Sequence, residues 1–390
     1  MIALPDSDIE ITNDKQDTAE PLDRIIWSHK NDVGPVVIIL SGIHGNELAG
    51  LKASERLARK LSASKEKLKG SVYMISGNLQ AIQKGVRFVD RDLNRLWGDI
   101  EKYPSVEDEK DQSVEWKEAE ELLQVLESIV DQHRYINQEI SFIDLHTTSV
   151  NSCAFILFND TLENRKSAAY FPVPQILGIE ETIHGTLLSY INDLGYPAIG
   201  FEAGRHQDES SVKRTEAFLN LYLHHMNFYP LDLQQVHFYE DKMKDRSEID
   251  DKYYEITYHH YVEDASKFKM KEGYLNFDRV QKGDLLAYNK DQPIYAPKNG
   301  RIFMPLYQAK GNDGFFILKG RSPFWLEISS LFRDSFVNKY LHLLPGVDQE
   351  GEISYTVDLK VARFFVKEIF HLLGYRVIKK DPNTLICYKR

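Results

Sequence analysis

Apolar residues follow two rhythms along this chain, and the texture changes near residue 250. In the first half, short continuous apolar runs alternate with stretches of helical spacing. Val36–Leu40 (VVIIL), Ser71–Ile75 (SVYMI), Ile140–Leu145 (ISFIDL), Ala154–Phe158 (AFILF) and Pro197–Phe201 (PAIGF) have the length of strands buried on both faces. Between them, residues 46–61 put Leu48, Leu51, Leu57 and Leu61 on one broad helical face. Residues 113–131 do the same with Leu122, Val125, Leu126 and Ile129. Residues 180–194 and 211–226 predict two further helices, the first ending near Gly195. Strands alternating with helices predict an α/β fold with a mainly parallel sheet covered by helices on both faces.

Beyond residue 250 short strands and frequent turns, at Gly273, Gly283, Gly300, Gly311 and Gly314, predict an all-β module. Residues 357–373 read as a helix, and 375–389 as two strands joined at Asp381, Pro382 and Asn383. The expected division is an α/β domain over 1–245, a β module over 246–335 and a small α/β C-terminal appendage over 336–390. No repeat and no low-complexity tract is evident.

Composition narrows the function. At 390 residues the chain is long enough for two or three domains, and 42% hydrophobic with 27% charged residues is ordinary for a soluble globular protein. Lys plus Arg total 48 against 59 Asp plus Glu, a net charge of −11, which disfavours general nucleic-acid binding. Two cysteines, Cys153 and Cys387, exclude a disulfide framework and a cysteine-rich metal cluster. A metal site here must use His, Asp and Glu. The first sixteen residues have neither a basic nor an apolar segment of a secretory signal, and no apolar run reaches membrane-spanning length. A cytoplasmic protein is expected, its acidic start a solvated arm or an edge strand, with homo-oligomer formation left open.

In an open α/β sheet, ligands bind beyond the carboxyl ends of the strands. Four expected strand ends carry reactive side chains: His44 and Glu47 after Leu40, a loop from Arg87 to Arg95 after the 71–75 strand, His146 after Leu145, and Glu202 after Phe201. Two His and one Glu with an open fourth position is a catalytic zinc set. His followed by Glu at the third position occurs four times, at His44, His206, His237 and His260; the His44 copy alone follows a buried strand between Gly42 and Gly45. Each residue also has a plain structural reading. His44 suits a loop histidine bonded to backbone, His146 a satisfied strand-end histidine, Glu202 a turn cap, and Asp92–Arg95 a surface turn. Their shared edge of the sheet favours chemistry. Beside a metal, Glu202 would act as general base and acid. Arg87 would stabilise an oxyanion, Asn94 and Arg95 would clamp a carboxylate, and Asp92 would orient a metal-bound histidine.

The segments GIHGNE, RFVDRDLNR, DLHTTS and GFEAG, in this order over roughly 35–230, resemble the aspartoacylase and succinylglutamate desuccinylase family, zinc amidohydrolases related in fold to metallocarboxypeptidases. The resemblance implies one zinc ion per chain on His44, Glu47 and His146, with Glu202 as general base and acid. It implies that Arg87 polarises the scissile carbonyl of a small N-acyl amino acid and that Asn94 and Arg95 hold its carboxylate. It also implies a lipoyl-like β-barrel after the catalytic domain; Lys298 reads there as a turn lysine, and Tyr288, Tyr295 and Tyr307 are candidates to reach the site. One departure bears on the substrate. The family's additional arginine before the catalytic Glu strand has no counterpart, because residues 166–204 contain no arginine. Asn192 lies near its expected place and Arg91 is a possible substitute, so a dicarboxylate substrate such as N-acetylaspartate is disfavoured. The competing readings are a metallocarboxypeptidase acting on short peptides and a non-catalytic binding protein with a vestigial site. No GxSxG, GxGxxG or GxxxxGK[ST] segment occurs.

Overall fold

The computed structural model describes residues 22–64, 68–102, 113–136, 138–244, 252–307, 311–333, 335–351, 354–362 and 366–390. The expected N-terminal arm lies outside them. The first part of the chain contributes β1 (Ile25–His29), β2 (Val36–Ser41), β3 (Ser71–Ser76), β4 (Ile140–Thr148), β5 (Phe155–Phe158), β6 (Gln175–Leu177), β7 (Ala198–Arg205) and β8 (Tyr253–Tyr261). Their order in the sheet is β1-β3-β2-β4-β7-β5-β6-β8. The centre, β3-β2-β4-β7, is parallel, as are β5-β6-β8, while β1 meets β3 and β5 meets β7 antiparallel. The arrangement is a mixed α/β fold around a large, mainly parallel central sheet.

The continuous apolar runs have a direct cause. Successive residues of a strand point to opposite faces, so a sheet covered twice needs apolar side chains at every position. Val37 and Ile39 of β2 pack with Leu57, Phe218 and Tyr222 from helices Ala49–Ala63 and Glu209–His225. Val36, Ile38 and Leu40 pack on the other face with Leu122 and Leu126 of helix Val114–Arg134 and Leu187 of helix Leu187–Asp193.

The β module departs from expectation. It contributes β9 (Phe268–Met270), β10 (Arg279–Val280), β11 (Leu285–Asn289), β12 (Gln292–Tyr295), β13 (Gly300–Phe303) and β14 (Asp313–Arg321). The central sheet runs on through β8-β14-β13-β10, and β12-β11-β9 form a separate three-stranded antiparallel sheet. No closed barrel forms among the described residues. The reason lies in β14, where Phe316 and Leu318 face the core beneath β2 while Phe315 and Ile317 face the module's own core. A strand buried on both faces serves as a shared wall rather than a barrel stave. The appendage is a four-stranded antiparallel sheet, from β15 (Val347–Gln349), β16 (Ser354–Asp358), β17 (Tyr375–Asp381) and β18 (Thr384–Lys389) in the order β15-β16-β18-β17.

Two helices are shorter than their patterns predict. The 357–373 stretch begins inside β16, where Tyr355 and Val357 are buried in strand alternation, and the helix is Val366–Leu372. The 180–194 stretch splits into a turn at Ile179–Glu181 and the helix Leu187–Asp193. Gly185 breaks it at φ +70°, where an added Cβ would stand 2.4 Å from the Arg95 carbonyl oxygen. No helix among the described residues is long and apolar enough to cross a membrane.

Candidate active site

The parallel strands deliver their side chains to one place. β2 ends in a turn at Gly42, whose φ of +74° suits glycine, and Gly45 follows so close to Ala81 that a Cβ would meet its carbonyl carbon at 2.0 Å. Glycine at both positions lets the turn fold flat and aim His44 and Glu47 together. His44 Nδ1 lies 2.8 Å from Glu47 Oε1, and His146 Nδ1 lies 3.2 Å from Glu47 Oε2. One ligand atom from each of the three residues lies within 4.8 Å of the others, and all three residues are buried.

The outer ring nitrogens are backed as well. His44 Nε2 lies 3.1 Å from Asp92 Oδ1, and His146 Nε2 lies 2.8 Å from Asp144 Oδ2. Histidine ligands of metals have this pattern, with one nitrogen inward and the other against a carboxylate that fixes the ring. The donor set therefore fits a divalent cation, and its two nitrogens and one carboxylate suit zinc. Thr147 completes the support, its backbone N–H donating to Glu47 Oε2 at 2.7 Å. Burial works against ionisation of Glu47, yet His44 and His146 hold it well below the usual carboxylate range. Burial opposes the charge on His146, but Asp144 and Glu47 raise its pKa well above the ordinary value.

His146 and Glu202 were expected at strand ends; both sit inside longer strands, β4 and β7, in register with each other. The register slips between His146 and Thr148, a bulge beside the site. Glu202 Oε2 is buried with no hydrogen-bond partner. Burial, reinforced by the charges of Glu47 and Asp144, pushes the Glu202 carboxyl up to about 8, against the pull of His146 and Arg87. Arg87 Nη2 donates to Asp92 Oδ2 at 3.0 Å, and its Nη1 stands 3.6 Å from Glu47 Oε1.

The remaining expected residues are placed differently. Asn94 is buried, and its side-chain oxygen accepts from the Leu187 N–H at 2.9 Å. Arg95 is drawn to the module, with Nη2 donating to Asp313 Oδ2 at 2.7 Å. Arg91 gives its backbone N–H to Glu115 while its side chain is exposed. Asn192 is engaged with Asn164 and the Tyr196 carbonyl, so it holds structure rather than a substrate. The Tyr307 hydroxyl is bonded to the backbone of Lys271 and Tyr274, and Tyr288 and Tyr295 lie exposed in the three-stranded sheet. The module's contact with the loop is made by Asp313 instead. Lys298 donates to the Thr257 carbonyl.

Residues missed in the sequence also surround the site. Asp144 stands two positions before His146, on the same face of β4, a spacing that could have revealed it. His206 lies 2.8 Å from the Thr147 hydroxyl through Nδ1. Glu115, at the start of the Val114–Arg134 helix, accepts the N–H groups of Val89, Asp90 and Arg91 and shapes the loop.

Comparison with known proteins places the chain in a family. Residues 33–226 match the succinylglutamate desuccinylase/aspartoacylase catalytic domain. The succinylglutamate desuccinylase of Pseudomonas paraeruginosa is 44% identical over 66 residues, 17% of this chain and 20% of that protein. The chain thus spans about a fifth of the length of this relative. A succinylglutamate desuccinylase structure from Vibrio parahaemolyticus superposes with a TM-score of 0.54 at 17% identity, covering 75% of this chain and 84% of that one. Murine aminoacylase 3 gives 0.54 at 15% identity, covering 75% and 97%. At such identities these two structures speak for the fold. Through its segment 33–226, the chain belongs to the succinylglutamate desuccinylase/aspartoacylase family.

Proposed function

We propose that the protein is a zinc-dependent hydrolase that cleaves the amide bond of a small N-acyl amino acid. The observation that carries this reading is the convergence of both histidine Nδ1 atoms on Glu47, with the buried, unpartnered oxygen of Glu202 one strand away. His44, Glu47 and His146 would hold a zinc ion, which would supply Lewis acidity for the scissile carbonyl and the attacking water.

The chain's own groups do the rest. Glu202 takes a proton from the attacking water and returns it to the departing amine. Its raised pKa suits both halves of that exchange, because a carboxyl near neutrality gives up a proton as readily as it accepts one. Arg87 steadies the negative charge that develops on the carbonyl oxygen. Asp92 and Asp144 fix the two imidazole rings. Asn94 offers its amide N–H group, since its oxygen is committed to Leu187, and Arg95 offers its guanidinium to the amino-acid carboxylate. In this reading the domain over 1–245 carries the chemistry, and the strands of 246–335 border its substrate side through Asp313.

The test is a screen of N-acetyl, N-succinyl and N-formyl amino acids with zinc-loaded protein, wild type beside Glu202→Gln. Release of a free amino acid by the wild type alone supports the reading. Equal release by both proteins would sink the role of Glu202, and no release from any compound would sink the activity.

A further inference from the structure

The guanidinium assigned to the substrate carboxylate already holds a carboxylate belonging to the chain. Arg95 Nη2 donates to Asp313 Oδ2 at 2.7 Å, and Nη1 donates to the Asn94 carbonyl at 2.8 Å. Asp313 opens β14, 218 positions further along the chain. Its second oxygen lies 2.9 Å from His259 Nε2, on the neighbouring strand β8, and the His259 ring stacks on Phe316 at 4.6 Å. The pair is within reach of solvent, with side-chain exposures of 35% for Arg95 and 25% for Asp313. It also borders the zinc-type cluster, because Asp92, three residues before Arg95, touches His44.

We propose that Asp313 is a specificity-determining residue: its carboxylate fills the place on Arg95 that a substrate carboxylate would take, so a substrate must displace it to bind. This rests on the N-acyl amino acid reading of the site. A guanidinium makes the same charge-assisted bonds to a carboxylate whether the anion is internal or external. Exchanging one for the other leaves the number of ion pairs unchanged, and affinity for the external anion falls by the fraction of time the clamp is occupied. His259 Nε2, 2.9 Å from the other Asp313 oxygen, stays beside the carboxylate when Arg95 lets go. The consequence concerns substrate class. The resting site discriminates weakly between an N-acyl amino acid and the matching carboxamide, and removing the Asp313 charge sharpens that discrimination.

The experiment uses N-acetylglycine and N-acetylglycinamide as probes of the zinc-loaded full chain. Equilibrium binding is measured calorimetrically in a Glu202→Gln background, so that turnover plays no part. Asp313→Asn is expected to raise the acid-over-amide affinity ratio about tenfold, and the rise is expected to vanish when Arg95→Met is added. Asp313→Ala serves the same comparison should the Asn variant fail to fold. An unchanged or lower ratio overturns the proposal, as does a rise that survives the loss of Arg95. A rise that depends on Arg95, in a protein whose parent hydrolyses no N-acyl amino acid, leaves Asp313 as the competitor and removes the deacylase reading instead.

Discussion

At the scale of single residues, the site depends on who partners whom. Glu202 carries a buried oxygen with no partner, a costly arrangement unless a ligand or a proton occupies it. Glu202→Gln keeps the shape and loses the proposed base, so it should retain metal and lose turnover by about 10²–10⁴-fold; metal analysis beside steady-state rates checks this. Asp144 Oδ2 stands 2.8 Å from the outer nitrogen of His146, where its charge backs the ring. Asp144→Asn should therefore weaken metal affinity by about 10–100-fold without unfolding the protein, as read by chelator competition. His44, Glu47, His146 and Glu202 were legible in the sequence because each follows or ends an apolar run, where a polar side chain stands out. Asp144 was hidden because it lies within the run, and a carboxylate inside a strand has no motif of its own.

At the scale of elements, the loop carrying Arg87, Asp92, Asn94 and Arg95 has little regular structure and is held by its neighbours. The Glu115 carboxylate accepts three successive backbone N–H groups from Val89, Asp90 and Arg91, and one from the Asn78 side chain. Removing it orphans those donors. Glu115→Ala should cost about 1–3 kcal/mol in denaturant unfolding and raise KM more than it lowers kcat, because in the proposed mechanism the loop carries the substrate clamp. The amphipathic pattern located the Glu115 helix, but an acidic residue near its start looked like surface. Gly185 shows the same limit in reverse. The periodicity of 180–194 ran through it, and only the approach of the Arg95 carbonyl explains why a glycine must break the helix there. Strands with alternating or continuous apolar runs were readable; the sharing of β14 between two cores was not, since nothing local distinguishes a barrel stave from a strand of a larger sheet.

At the scale of the molecule, buried charge joins the appendage to the α/β domain. The Arg390 side chain reaches Asp160, Glu180 and Glu181, and Arg333 shares Asp160. His371 stands between Glu181 and Glu255, 3.0 Å from each through Nε2 and Nδ1. Such pairings between distant segments leave no trace in local sequence. They should make stability depend on pH. Burial opposes the charge on His371, but Glu181 and Glu255 raise its pKa above 6.5, so its contribution is full below about 6.5 and is lost as pH rises through the folded value. Glu181, whose burial is outweighed chiefly by His371 and Arg390, is lowered from 4.5 to about 2, so its contribution is present above 4.5 and lost as pH falls towards 2. The joint should be strongest between about pH 4.5 and 6.5, and His371→Gln should flatten the alkaline side of a plot of unfolding free energy against pH. A wild-type curve of the same shape as the variant's would contradict that role. For the proposed hydrolase as a whole, metal removal is the most direct measurement: the wild-type chain, stripped by a chelator and then given back one equivalent of zinc, assayed for release of free amino acid from an N-acyl amino acid. Activity should disappear with the metal and return with it; undiminished hydrolysis by the stripped protein would contradict the zinc-dependent mechanism built on His44, Glu47 and His146.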